Sequence, residues 1–197
     1  MTRNFFVAAI FTLLFIGCSE PIKKVKVLQV PGRDQFCIID KEGVTVLPSG
    51  RYVTPVGDVL PITNDPYGMA ISPDGAKAVT LHNGVITIIN LADVSAQRVP
   101  SYDKKIPSPL SKGSFLGVAF STDSKYVYLS GGDKGDIVIY DIEKLKKIDA
   151  ISLNGKVNGE DYQDSFTSDL MLNPDSNELL VLDRANFRLV RIDLSTK

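Results

Sequence analysis

Gly68-Met69-Ala70-Ile71-Ser72-Pro73-Asp74-Gly75 decides how this chain is read, because it comes back twice. The second copy is Gly117-Val118-Ala119-Phe120-Ser121-Thr122-Asp123-Ser124, and the third, more worn, is Asp169-Leu170-Met171-Leu172-Asn173-Pro174-Asp175-Ser176. The anchoring aspartates Asp74, Asp123 and Asp175 follow one another at intervals of 49 and 52 residues. Each copy closes on a second match: Ile88-Ile89-Asn90-Leu91, Val138-Ile139-Tyr140-Asp141-Ile142 and Val190-Arg191-Ile192-Asp193-Leu194. A period near 50 residues marks a stacked array of one supersecondary unit.

The unit reads as a small antiparallel sheet. In the middle copy, apolar Gly117–Phe120 is followed by a Ser-Thr-Asp-Ser turn, whose side chains bond nearby amides. Tyr126–Ser130 is rich in β-branched and aromatic residues, as strands are. The loop from Gly131 to Asp136 carries three glycines, and Ile137–Asp141 is a third strand. The first copy has strand Ala78–Leu81 and loop His82-Asn83-Gly84; the third has strands over 178–182 and 187–192. No helical period competes, and Ile142 to Lys147 has room for one helical turn at most.

The Ser-Pro-Asp-Gly turn after a Gly-x-Ala-x strand, with the closing Ile-Asp-Leu, resembles the YVTN-type bacterial β-propeller repeat over residues 44–194. Val46–Gly57 is similar to the segment that leads into propellers placed ahead of alkaline-phosphatase-like phosphoesterase domains. Related propellers also include lactonase-like hydrolases. The Tyr-Val-Thr-Asn tetrapeptide is itself absent; the matching places read Ala78-Val79-Thr80-Leu81, Val127-Tyr128-Leu129-Ser130 and Leu180-Val181-Leu182-Asp183. The expected fold is all-β: a partial β-propeller of about three to four antiparallel blades, with repeats near 65–91, 114–142 and 167–194. Such rings close with four to eight blades. Three repeats are too few for a ring of about seven, so the chain is expected to be a fragment; the alternatives are closure with four blades or a ring completed by oligomerisation.

The amino terminus reads as an export signal. Arg3 precedes an apolar run from Phe5 to Ile16, too short for a bilayer core but the length of a signal h-region. Leu14-Phe15-Ile16-Gly17-Cys18 resembles a bacterial lipobox, with Phe15 where leucine is usual. Residues 1–17 are therefore expected to be a lipoprotein signal peptide, Cys18 the acylated residue, 18–35 a tether and incoming strand, and 36–197 the incomplete propeller. A plain cleaved signal or an uncleaved anchor remain alternatives. The protein would then sit on a membrane of the bacterial cell envelope, facing periplasm or exterior. An acylated Cys18 cannot pair with Cys37, which is expected to be a buried thiol in a Phe36–Ile39 strand.

Composition excludes more than it assigns. With 197 residues and a net charge of −1, the chain has no basic stripe to release counterions from nucleic acid. Lys144-Leu145-Lys146-Lys147 reads as a solvated loop. His82, the one histidine, is expected in a surface loop, and no zinc-ligand spacing is present. The acidic insertion Asn158–Asp164 offers Glu160, Asp161 and Asp164 as weak candidates for a hard cation, without the fixed spacing of a calcium loop. Propeller loops gather at the two faces of the ring. Lys104–Leu110 and Asn158–Asp164 are thus the expected places for a ligand. No catalytic residue and no cofactor site is assigned. The expected function is a binding or scaffold module for a protein or small-molecule ligand, with a metal-dependent phosphoesterase partner domain or a lactonase-like hydrolase as alternatives.

Overall fold

The computed structural model describes residues 27–40, 43–54, 57–114 and 116–196. The expected signal peptide, Cys18 and the first part of the tether lie outside them. Among the described residues every regular element is a β-strand. The chain divides into two compact units between Val59 and Leu60, so residues 36–59 fall with the smaller unit rather than with the blades.

The smaller unit holds one hairpin. Strands β1 (Thr45–Val46) and β2 (Tyr52–Val53) pair antiparallel across a turn in which the Gly50 amide donates to Leu47 O. Phe36–Ile39 is not the expected strand. It contributes a single bridge, Ile38 to Val46, and Cys37 is exposed. A hairpin of two-residue strands offers no sheet face broad enough to bury that segment.

The larger unit contains the three repeats. Blade 1 is β3 (Gly68–Ile71), β4 (Lys77–His82), β5 (Val85–Asn90) and β6 (Ser95–Val99), hydrogen-bonded in that order. Blade 2 is β7 (Val118–Phe120), β8 (Tyr126–Ser130), β9 (Asp136–Asp141) and β10 (Lys146–Ser152). A hairpin of β11 (Gly155–Val157) and β12 (Glu160–Tyr162) precedes blade 3, which is β13 (Thr167–Asn173), β14 (Glu178–Asp183) and β15 (Arg188–Asp193). Lys146 and Lys147, expected in a loop, begin the outer strand of blade 2.

The repeated motif makes the first turn of each blade. Ser72 Oγ donates to Asp74 Oδ1 at 2.6 Å, the Ala76 amide donates to the same oxygen at 3.0 Å, and Ser72 N reaches Lys77 O. Ser121, Asp123 and Lys125 repeat the arrangement at 2.6 and 3.2 Å. The Ser72 hydroxyl, and after it the Ala76 amide, hold the Asp74 carboxyl below the usual carboxylate range; Ser121 does the same for Asp123. The worn copy differs: Asn173 Oδ1 accepts from the Asp175 amide, and positive φ moves from the fourth turn residue (Gly75, Ser124) to the fifth, Asn177. The closing match also has a job. Asn90, Asp141 and Asp193 each accept from an amide two residues on, starting the turn away from the third strand.

The sheets stack face to face with their first strands together: β7 lies between β3 and β13. Sheets arranged radially with first strands innermost are the blades of a β-propeller. The close approach explains the glycine that opens the motif. A Cβ on Gly68 would stand 1.9 Å from the Leu116 carbonyl oxygen, and one on Gly117 would stand 2.9 Å from Ser130 Cβ and 3.0 Å from Leu170 Cγ. Strand alternation divides blade 2 between two cores. Val127, Leu129, Val138 and Tyr140 meet Val79, Leu81, Ile86 and Ile88 of blade 1. Tyr128, Ile137 and Ile139 meet Leu170, Leu179 and Val181 of blade 3. On the opposite face of blade 3, Met171, Leu182 and Leu189 are exposed.

Candidate functional site

Because each complete blade has four strands, its connections alternate between two faces. The turns after β3, β7 and β13 share one face with those after β5 and β9, and Asp74 N donates to Ser124 Oγ across it. The turns after β4, β8 and β14 share the other face with the two long connections that follow β6 and β10. The two segments expected to meet a ligand, Lys104–Leu110 and Asn158–Asp164, are therefore on one face, called here the loop face.

The long connections are pinned there. Gly113 N donates to Asn83 Oδ1 at 2.6 Å, Gly84 N to Ser114 Oγ at 3.2 Å, and Ser108 Oγ to the Gly84 and Leu110 carbonyls. In the second connection Leu153 N donates to Gly135 O and Ser165 N to Asn154 Oδ1. The acidic stretch is not an open loop. Asn158 and Gly159, both at positive φ, turn the β11–β12 hairpin, and an Asn-Gly pair between strand-forming residues is the sequence signal for it. Glu160 and Asp161 are adjacent on β12 and so project to opposite sides. Both are exposed, as is Asp164, and Asp161 accepts from Gln163 at 2.6 Å. Among the described residues no group of three or more His, Cys, Asp or Glu is placed to hold a metal ion.

His82 corrects the expectation of a surface loop. It ends β4 at 2 % exposure. Nδ1 lies 2.8 Å from Asn64 O, and a carbonyl only accepts, so Nδ1 carries the proton. Nε2 is then the acceptor, 2.9 Å from Thr80 Oγ1 and 3.1 Å from Thr87 Oγ1. Thr87 Oγ1 in turn donates to Thr63 Oγ1 at 3.0 Å, which leaves Thr80 as the donor to the ring. The signal in the sequence was Thr80 and Thr87 among apolar strand positions. Replacing His82 by phenylalanine keeps the bulk but orphans the Asn64 carbonyl and the Thr80 hydroxyl. A loss of about 1–3 kcal/mol in urea unfolding is expected. A loss under half that would show that water replaces the ring.

Asp183 ends β14 at the position equivalent to His82, and its side chain is fully buried. Burial works to raise its carboxyl. Hydrogen bonds from Asn186 Nδ2 at 2.9 Å, Arg188 Nε at 2.8 Å and the Phe166 amide at 3.0 Å outweigh it and bring the group down to about 2. Arg188 Nη2 also donates to Leu153 O at 2.7 Å, and its guanidinium lies 3.5 Å from the centre of the Tyr162 ring. This cluster clips the β11–β12 hairpin to blade 3, so its charges are spent on structure.

Toward the loop face, the flank of blade 1 turned away from blade 2 carries a hollow of about 540 Å³. Pro61, Ile62 and Ala96 give apolar wall, Thr63 and Thr87 line it beside the His82 network, and Gln97, Arg98 and Tyr102 form the rim. Tyr102 is held by a fourth, off-period copy of the motif turn. Ser101 Oγ donates to Asp103 Oδ1 at 2.6 Å, and the Lys105 amide donates to the same oxygen at 3.2 Å. The Tyr102 side chain is 85 % exposed, with the Arg98 guanidinium 4.8 Å from its ring centre. The sequence named Lys104–Leu110 as a place to look, but it passed over Arg98 and Tyr102 just before it.

No protein-family model matches this sequence, and no curated protein matches it. Among solved structures, hydrazine synthase of Kuenenia stuttgartiensis is similar at 15% identity and a TM-score of 0.45 over 71% of this chain and 38% of that one. The U3-55K structure is similar at 15% and 0.47 over 68% of this chain and 41% of that one. The RRP9 WD40 repeats are similar at 15% and 0.46 over 66% and 39%. The chain spans about two-fifths of the length of each of these structures.

Proposed function

We propose that this chain is an exported, lipid-anchored binding module of the YVTN propeller type. In this reading Cys18 is acylated, 18–35 tethers the blades to a membrane of the cell envelope, and the three blades are part of a ring of about seven. The loop face meets a protein or small-molecule ligand. One observation carries the reading: both long connections come to the same face, each pinned by hydrogen bonds to a blade, and the Arg98–Tyr102 hollow lies beside the first of them. Aromatic and arginine side chains are among the groups that dominate binding surfaces.

A photo-crosslinking residue placed at Tyr102 or Asp161 is expected to trap ligand in envelope preparations, whereas one at Asp123, on the turn face, is not. Equal trapping at all three positions would sink the loop-face assignment. Labelled palmitate is expected in the protein and absent from Cys18→Ser, and an unlabelled wild-type protein would remove the anchor. Hydrolysis of a lactone or phosphate ester by the protein would overturn the non-catalytic reading.

A further inference from the structure

We infer that the Arg98 hollow is a binding site for a carboxylate attached to a small apolar or aromatic body. The inference rests on the loop face being a binding surface and names the ligand chemistry of one part of it. Two arginines among the described residues are half-buried, Arg98 and Arg188. Arg188 has Asp183 as its carboxylate; Arg98 has no carboxylate partner among the described residues. Its Nη1 donates to Pro100 O and its flat face lies over Tyr102, while Nε and Nη2, the edge that grips a carboxylate with two parallel hydrogen bonds, take no partner among the described residues.

The surroundings fit a single negative charge. No acidic side chain lines the hollow. The nearest in sequence, Asp103, is already held by the Ser101 hydroxyl, the Lys105 amide and the Lys105 ammonium. Thr63 accepts from Thr87, which leaves its own hydroxyl proton for a ligand, and the Gln97 amide stands on the rim. One guanidinium with neutral donors suits a monoanion better than a phosphate dianion. The remaining wall is Pro61, Ile62, Ala96 and the Tyr102 ring, which suits an apolar body next to the charge. The volume of about 540 Å³ is that of a small-molecule site.

Isothermal titration of the whole chain with benzoate, benzamide and inorganic phosphate tests this. Benzoate is expected to bind saturably, and benzamide, isosteric but uncharged, at least about tenfold more weakly, as loss of a charge-assisted pair implies. Arg98→Gln is expected to weaken benzoate by a similar factor, with Arg98→Lys in between. Tyr102→Ala, at a solvent-exposed position that leaves folding intact, is expected to weaken it several-fold. No benzoate binding, equal affinity for benzamide, or wild-type affinity in both Arg98→Gln and Tyr102→Ala would overturn the site. Phosphate binding as tightly as benzoate would overturn the carboxylate assignment. If these titrations fail while crosslinking from Tyr102 and Asp161 succeeds, the binding-module reading stands and only the ligand class falls.

Discussion

Replacing Asp183 by alanine is expected to destabilise the blades by about 3–5 kcal/mol, the loss that follows when one member of a buried ion pair is removed and the other stays. The variant leaves Arg188 at 16 % exposure without a counter-charge, and the Phe166 amide and Asn186 without their acceptor. Asp183→Asn separates charge from shape. The folded carboxyl sits at about 2, below its ordinary 3.8, so folding favours the charged form. That contribution is complete above about pH 4 and is lost as pH falls through 2. A shift of this size is worth roughly 2–3 kcal/mol. Other acid-sensitive carboxylates remain, because Asp74, Asp103, Asp123 and Asp141 are also lowered, chiefly by the Ser72, Ser101 and Ser121 hydroxyls and the Lys144 amide. The informative quantity is therefore a difference. Urea unfolding at pH 6 and at pH 3 should show wild type losing more stability on acidification than Asp183→Asn. Parallel losses would mean that the charge of Asp183 is not what holds the hairpin to blade 3.

The same cluster shows where sequence reading succeeds and where it stops. The Ser-x-Asp turn is legible because it is local: Ser72, Asp74 and Lys77 complete it within six residues. The second and third strands of blade 2 are legible because both of their faces meet a neighbouring core, which writes apolar runs such as Val127–Leu129. The outer strands are not. Ser95–Val99 and Lys146–Ser152 pair along one edge and are largely exposed, so their residues are those of a loop. Missing them has a topological consequence, because a blade of three strands would send its long connections to the opposite face. The fourth strand is what brings Lys104–Leu110 and Tyr162 to the side where His82 and Asp183 end their strands. His82 and Asp183 end equivalent strands, but their burial depends on Asn64 and Phe166, 18 and 17 residues away. Nothing in the local pattern carries that. Arg98 was hidden for the same reason: its stacking partner Tyr102 sits in a turn copy that falls between the repeats.

Leu129→Ala is expected to cost about 2–5 kcal/mol, the range for emptying a fully buried leucine site. Leu129 has no exposed surface and lies in β8, the second strand of the middle blade. Its side chain belongs to the core shared with blade 1, while its neighbour Tyr128 belongs to the core shared with blade 3. Met171→Ala, at an exposed position on blade 3, should change stability by no more than about 0.5 kcal/mol, and calibrates the assay. The pattern of the loss matters as much as its size. In stacked repeats, stability is a sum of blade terms and nearest-neighbour interfaces. Weakening only the interface between blades 1 and 2 should let blade 1 open first, while Tyr128, Ile137, Leu179 and Val181 keep blades 2 and 3 joined. Hydrogen exchange in the variant should then accelerate in β4 and β5 more than in β14. Uniform acceleration across all three blades would instead mean that the blades fold as one unit, with interfaces too strongly coupled for any one of them to fail alone.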